Sequence, residues 1–169
     1  MADVWNEVLA AIRADFADLP SIAEVTRVMV RLTLAAFLGG LLGYERGQVG
    51  KKAGVRTHML VALGSAFFVL IPAQAGITGG ELSRVLQGVI TGVGFLGTGT
   101  ILKGSHEGQV HGLTTAAGIW FTAAVGIATG LGREASALLG TILALLILTV
   151  IPHVAPTQSS DEDRPGEEE

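Results

Sequence analysis

The side chains that could do chemistry are few, and they gather in two places. Glu45 and Arg46 close one apolar run, and Arg56, Thr57 and His58 open the next. His111, Thr114 and Thr115 stand in the same relation to a later pair of apolar runs. A carboxylate at a membrane boundary can pair with a guanidinium and hold a loop, or bind a cation or a partner. Glu45 has two candidate partners, Arg46 and Arg56; the bland alternative is a solvated helix end. Thr57 and Thr114 are placed to cap helices. His58 and His111 have the chemistry of pH sensors or metal ligands. With zero cysteines in the chain and no aspartate beside them, a metal site is not expected. A hydrolase would need Ser65 or Ser105 with His58, His106 or His111, and neither a nucleophile elbow nor an aspartate partner is present. The expectation is a protein that is not an enzyme, with no catalytic residue and no cofactor.

The elements that must hold these residues are built for lipid. Of 169 residues, 49% are hydrophobic before the 24 glycines are counted, and only 15% are charged. Soluble domains reach about 45–50% with glycine included and carry about 25% charge. A formal net charge of −4 leaves no basic footprint for nucleic acid. Stretches 57–80, 85–102, 108–132 and 135–160 hold no Asp, Glu, Lys or Arg. Each is long enough for the roughly 20 residues a spanning helix needs. A fifth apolar run, 25–44, has Arg27 and Arg31 in its first turns, four apart on one face and able to snorkel to the interface. The runs are continuous, so an all-α integral membrane protein is expected, with about five transmembrane helices near 25–44, 57–76, 85–102, 113–131 and 135–152.

Residues 1–24 lack the positive start and apolar core of a signal peptide. Val4, Trp5, Val8, Leu9, Ile12, Phe16 and Leu19 recur at helical spacing, which suggests an amphipathic segment in the membrane interface, ended by Pro20. Ser21 with Glu24 fits a capping box at the start of the first span. The 44–56 connection holds Arg46, Lys51, Lys52 and Arg56 against Glu45, so the positive-inside rule turns it to the cytoplasm. Five spans then place the N-terminus outside and the C-terminus inside. Residues 153–169 carry six acids and one arginine and read as a disordered acidic tail. Without that tail the chain is close to neutral.

Small residues four apart let helices approach closely in lipid. Gly118, Thr122, Gly126 and Gly130 form such a row on the fourth span, Gly39 with Gly43 on the first, and Gly88 with Gly92 on the third. Gly94, Gly97 and Gly99 thin the third span further and imply either a bend there or close packing on the fourth. The fifth span is bulky nearly all round, which makes it peripheral. Trp120 and Phe121 read as packing or interface residues.

Taken together, Gly39-Gly40-Leu41-Leu42-Gly43-Tyr44-Glu45-Arg46, Ala53-Gly54-Val55-Arg56-Thr57-His58, Gly92-Val93-Gly94-Phe95-Leu96-Gly97-Thr98-Gly99 and Gly112-Leu113-Thr114-Thr115-Ala116-Ala117-Gly118 resemble the membrane domain of the MgtC/SapB family. The likeness covers about residues 25–150. Thr98 stands where the family often has alanine, and the soluble C-terminal domain of longer members is replaced by the acidic tail. The resemblance implies a multi-pass protein of the bacterial plasma (inner) membrane, linked to magnesium homeostasis and to adaptation to low magnesium. It is also associated with regulating other membrane proteins, the ATP synthase among them.

Residue chemistry weighs between these roles. Magnesium takes oxygen ligands, usually carboxylates with retained waters. Spans two to five hold no interior carboxylate, leaving Gln74, Gln87 and the threonines. The expected role is therefore regulation of a membrane partner through helix contacts. The alternative is an oligomeric channel or transporter for magnesium or another small solute. Lipid and a membrane-protein partner or further copies of the chain are the expected associates.

Overall fold

The computed structural model describes residues 2–17, 21–48, 53–103 and 110–154. Six helices carry the fold: α1 (Ala2–Asp15), α2 (Ile22–Gln48), α3 (Val55–Gln74), α4 (Gly79–Thr98), α5 (Leu113–Gly130) and α6 (Glu134–Val154). Between α4 and α5 a two-residue antiparallel ladder joins β1 (Leu102–Lys103) to β2 (Val110–His111). Pro20, Lys51, Lys52, Ser105, His106 and the acidic tail from residue 155 lie outside the described residues.

Among the described residues, four helices, α2, α3, α5 and α6, are long and apolar enough to cross a membrane. The five-span expectation narrows here for a local reason. α4 equals α3 in length, at 20 residues each, but starts earlier than expected and so takes Glu81 and Arg84 into its first turns. It also stops at Thr98 rather than 102, because Gly99 ends it and the ladder follows. α4 packs along α5: Ile90 and Ile127 line one small cavity, and Gly97 faces Ala116 nearer the start of α5. Ser21 caps α2 as expected, its hydroxyl accepting from the Glu24 N–H at 3.2 Å.

α3 is packed between α2 and α5, and α5 in turn touches α2, α4 and α6. One side of α3 takes the glycines of α2: a Cβ at Gly39 would lie 2.6 Å from the His58 carbonyl, and one at Gly43 2.7 Å from Val55 Cα. The other side takes the row on α5, where a Cβ at Gly130 would lie 2.6 Å from the Ala66 carbonyl and one at Gly126 2.9 Å from Ser65 Cβ. Lipid supplies no hydrophobic drive between helices, so such van der Waals proximity is what holds them. Larger side chains fill the flanks. Leu38, Leu42, Val125 and Ala137 join α2, α5 and α6, while Val93, Ile119 and Ala123 join α4 and α5.

Among the expected packing glycines, Gly88 and Gly92 have nothing within 4 Å of where a Cβ would stand. They line an open apolar groove of about 600 Å³ between α3 and α4, opposite Gly64. α6 is peripheral: Ala137, Thr141, Leu145 and Leu148 face the bundle, and Leu138, Leu139, Leu143 and Leu146 are exposed. α1 leaves Val4, Trp5, Val8, Leu9 and Ile12 exposed.

Candidate functional site

α2 ends at the α2–α3 connection, and there its last turn carries a charge into the bundle. Arg46 is 4% exposed. Its Nε donates to Glu45 Oε2 at 2.6 Å and its Nη2 to Oε1 at 3.0 Å, so both carboxylate oxygens are engaged by one guanidinium. Such a bidentate pair is the strong form of this interaction. Adjacent helix residues do not share a face, so the Glu45 side chain wraps round the helix to reach its neighbour. Gly118 makes room for Arg46, whose Cδ lies 3.9 Å from the place of the missing Cβ. Arg56, the other candidate partner, is exposed in the first turn of α3, and the ion pair excludes it.

His58 stands beside this pair and is 0% exposed. Its ring Nδ1 lies 3.0 Å from the Gly54 carbonyl oxygen, which also accepts the His58 backbone N–H at 3.2 Å. The carbonyl can only accept, so Nδ1 carries the proton and fixes the tautomer. Nε2 is buried without a hydrogen-bond partner among the described residues, and Gly118 covers it at 3.5 Å from the Cβ position. Thr115 is buried nearby in the sequence of α5, whereas Thr57 and Thr114 are exposed. The caps expected from those two threonines are supplied otherwise: Gly54 and Gly112 occupy the N-cap positions of α3 and α5, with no side-chain cap. Gly112 has φ +92° with the Thr100 carbonyl pressed against it, a place only glycine fills without strain.

The glycine-thinned stretch of α4 stays helical. Gly94 is open, a Cβ at Gly97 would lie 3.6 Å from Ala116 Cβ, and Gly99 is the C-cap. Residues 94–98 remain helical, so the chain does not unwind there before Gly99 ends the helix. Of the hydroxyls weighed as oxygen ligands, Thr98, Thr100 and Thr122 donate to carbonyls of their own chain at Gly94, Gly97 and Gly118, and buried Thr129 and Thr141 do the same at Gly126 and Ala137. His111 is exposed on β2, whereas His58 is buried. The described residues hold no cluster of three or more His, Asp or Glu that could bind a metal. With both Glu45 oxygens paired, this site does not fit magnesium.

At the opposite end Arg31 does what its position alone did not reveal. Nη1 donates to the Gly130 carbonyl at 3.3 Å and Nε sits 3.4 Å from Glu134 Oε1, an ion pair without a formed hydrogen bond. Arg31 thus ties α2 to the α5–α6 turn instead of snorkelling alone. The partners lie about a hundred residues away in sequence, and no local spacing announces them.

Comparison with known proteins agrees with the residue pattern. The family model described as the MgtC family matches residues 32–156. SrpB of Synechococcus elongatus is 47% identical over 130 residues, covering 70% of this chain and 71% of SrpB. YhiD of Escherichia coli K12, provisionally named a magnesium transporter, is 42% identical over 72% of this chain and 59% of its own length. The protein MgtC of Brucella abortus is 41% identical over 67% of this chain and 46% of its own. The chain therefore spans about half to two thirds of some relatives. No solved structure matches it.

Proposed function

This chain belongs to the MgtC family and is a multi-pass membrane protein, and from that premise we propose that it regulates a larger membrane protein in magnesium homeostasis, without enzymatic activity of its own. One observation carries this reading: the buried charge of Arg46 is spent on its neighbour Glu45. Glu45 is neutralised by Arg46, and buried Thr122, Thr129 and Thr141 donate to carbonyls of their own helices. The bundle's two largest grooves among the described residues, between α3 and α4 and between α5 and α6, are apolar. Such faces fit helix contacts with a partner better than they fit a hydrated cation. A transporter or the ATP synthase is the partner class implied by the resemblance.

We place the protein in the bacterial plasma membrane with the α2–α3 connection cytoplasmic, following its basic residues. With α4 counted as a fifth crossing, the N-terminus is outside and the C-terminus cytoplasmic. α1 then lies along the outer surface with Trp5 and Ile12 in the interface. The test is isolation from native membranes in mild detergent. A reproducible large partner is expected. Magnesium flux into liposomes holding this protein alone, abolished by Glu45→Gln, overturns the proposal.

The open glycine face of α4 favours one second reading, a channel completed by another copy across Gly88 and Gly92. Water-borne thiol reagents reaching a cysteine at either position within the membrane would support it; protection from such reagents counts against it.

A further inference from the structure

The end of the bundle away from Arg46 holds a pocket that the packing of the helices does not fill. It opens between the start of α2 and the end of α3 and has a volume of about 420 Å³. Glu24, Arg27 and Arg31 line it from successive turns of α2, and Leu70 and Gln74 from the last turns of α3. Spacings of three and four residues put each set on one face of its helix, so the two faces look at each other across the pocket. In the two larger grooves the walls are apolar. Here charged and amide side chains outnumber the apolar ones.

Those charges are not equally engaged. The Arg31 guanidinium is committed to the Gly130 carbonyl and to Glu134. Arg27 is exposed and Glu24 half-buried, and among the described residues neither forms an ion pair, with the other or elsewhere. They stand one turn apart, a spacing at which opposite charges on a helix commonly close. A cation and an anion are thus offered side by side, each open to solvent or to a ligand. Gln74, exposed on the facing helix, adds an amide that can both donate and accept. Ile22, Val25, Met29 and Ile71 on the same turns are exposed apolar residues, so the mouth of the pocket stands where head groups meet hydrocarbon.

We propose that this pocket holds the head group of a phosphatidylethanolamine-type lipid, its phosphate on Arg27 and Gln74 and its primary ammonium on Glu24. Basic pockets between helices at the membrane boundary take lipid head groups, and the carboxylate selects among them. A guanidinium meets a phosphate with two parallel N–H donors, while Glu24 accepts from the ammonium. A choline head has no N–H to give, and a quaternary ammonium calls for an aromatic cage, whereas no aromatic residue lines the pocket among the described residues. A glycerol head brings the phosphate's charge to Glu24 without a cation between them. The acyl chains run down the exposed sides of α2 and α3, past Met29 and Ile71. Such a site needs only a chain that spans the membrane, and it is independent of whether the protein regulates a partner.

The test is native mass spectrometry of the full chain released from detergent and titrated with one lipid at a time, with ethanolamine, choline or glycerol head groups on identical acyl chains. One ethanolamine lipid per chain is expected to bind about fivefold more tightly than either of the others. Arg27→Gln should weaken all three lipids, and Glu24→Gln should erase the preference for ethanolamine over choline. Both variants should keep the parent's thermal midpoint in lipid-free detergent. Should either lose its fold, Gln74→Leu takes its place and should weaken all three lipids. Equal binding of the three lipids overturns the proposal, as does an ethanolamine preference that survives both Arg27→Gln and Glu24→Gln. O-phosphoethanolamine and inorganic phosphate are titrated as competitors. Displacement of the lipid by either at an equal concentration assigns the pocket to a water-borne phosphate compound and equally overturns it.

Discussion

Gly118 lies over the imidazole of His58, and the place its Cβ would take is 3.5 Å from Nε2. One row on α5 therefore does two different things. At Gly126 and Gly130 the missing side chain is replaced by the backbone of α3, while at Gly118 it is replaced by the edge of a polar ring and the stem of a buried arginine.

The difference is measurable. Gly126→Ala and Gly130→Ala force a methyl into the Ala62 and Ala66 backbone and should cost about 1–3 kcal/mol each. Gly118→Ala should be near neutral. Gly88→Ala and Gly92→Ala meet open space and should stabilise by up to about 1 kcal/mol through helix propensity. Unfolding by SDS in mixed micelles reads all of these on one scale.

Arg46 and Glu45 should behave as a unit. Arg46→Gln or Glu45→Gln alone strands a buried charge and is expected to cost about 3–5 kcal/mol. The double replacement by Met and Leu should recover most of that loss. Arg46→Lys should not rescue, because an ammonium cannot reproduce the two-pronged contact. A double-mutant cycle in the same micelles measures the coupling.

The His58 tautomer follows from one carbonyl. Solid-state NMR with nitrogen-15 should find the proton on Nδ1, bonded to Gly54 at 3.0 Å. His58→Leu should keep the bundle but loosen the first turn of α3, seen as faster amide exchange there. A ring protonated on Nε2 alone would contradict the assigned geometry.

At the far end, Arg31 and Glu134 are partly exposed, and screening limits what their pair is worth. Arg31→Gln or Glu134→Gln should cost at most about 1 kcal/mol. Gly132→Ala should cost more than either, since φ there is +73° and the Arg31 guanidinium lies against it. Thermal unfolding with added salt separates the two, because salt weakens only the ion pair.

The membrane-spanning character was legible from absent charges, and the glycines of α2 and α5 from their spacing. Spacing tells which side of a helix is thin, however, not what faces it. Gly88 and Gly92 have the same four-residue interval as Gly126 and Gly130, yet they face a groove, because α4 stands away from α3. The early start of α4 was hidden since Glu81 and Arg84 read as loop residues, while helical propensity does not exclude them from a first turn. The site was only half visible. Glu45 and Arg46 stood out, but the burial of Arg46 depends on a glycine in α5 that no local pattern ties to it.

The ion pair at the end of α2 joins residues that are neighbours in the chain. Partners so placed need no search through the folding chain, and closing their contact orders almost no backbone. The charge can be cancelled as soon as Arg46 has been synthesised, before α5 exists to bury it. When α5 is later laid against α2, the membrane receives a neutral group rather than a cation awaiting its partner. Biogenesis thus avoids the most costly intermediate that a buried arginine would otherwise impose.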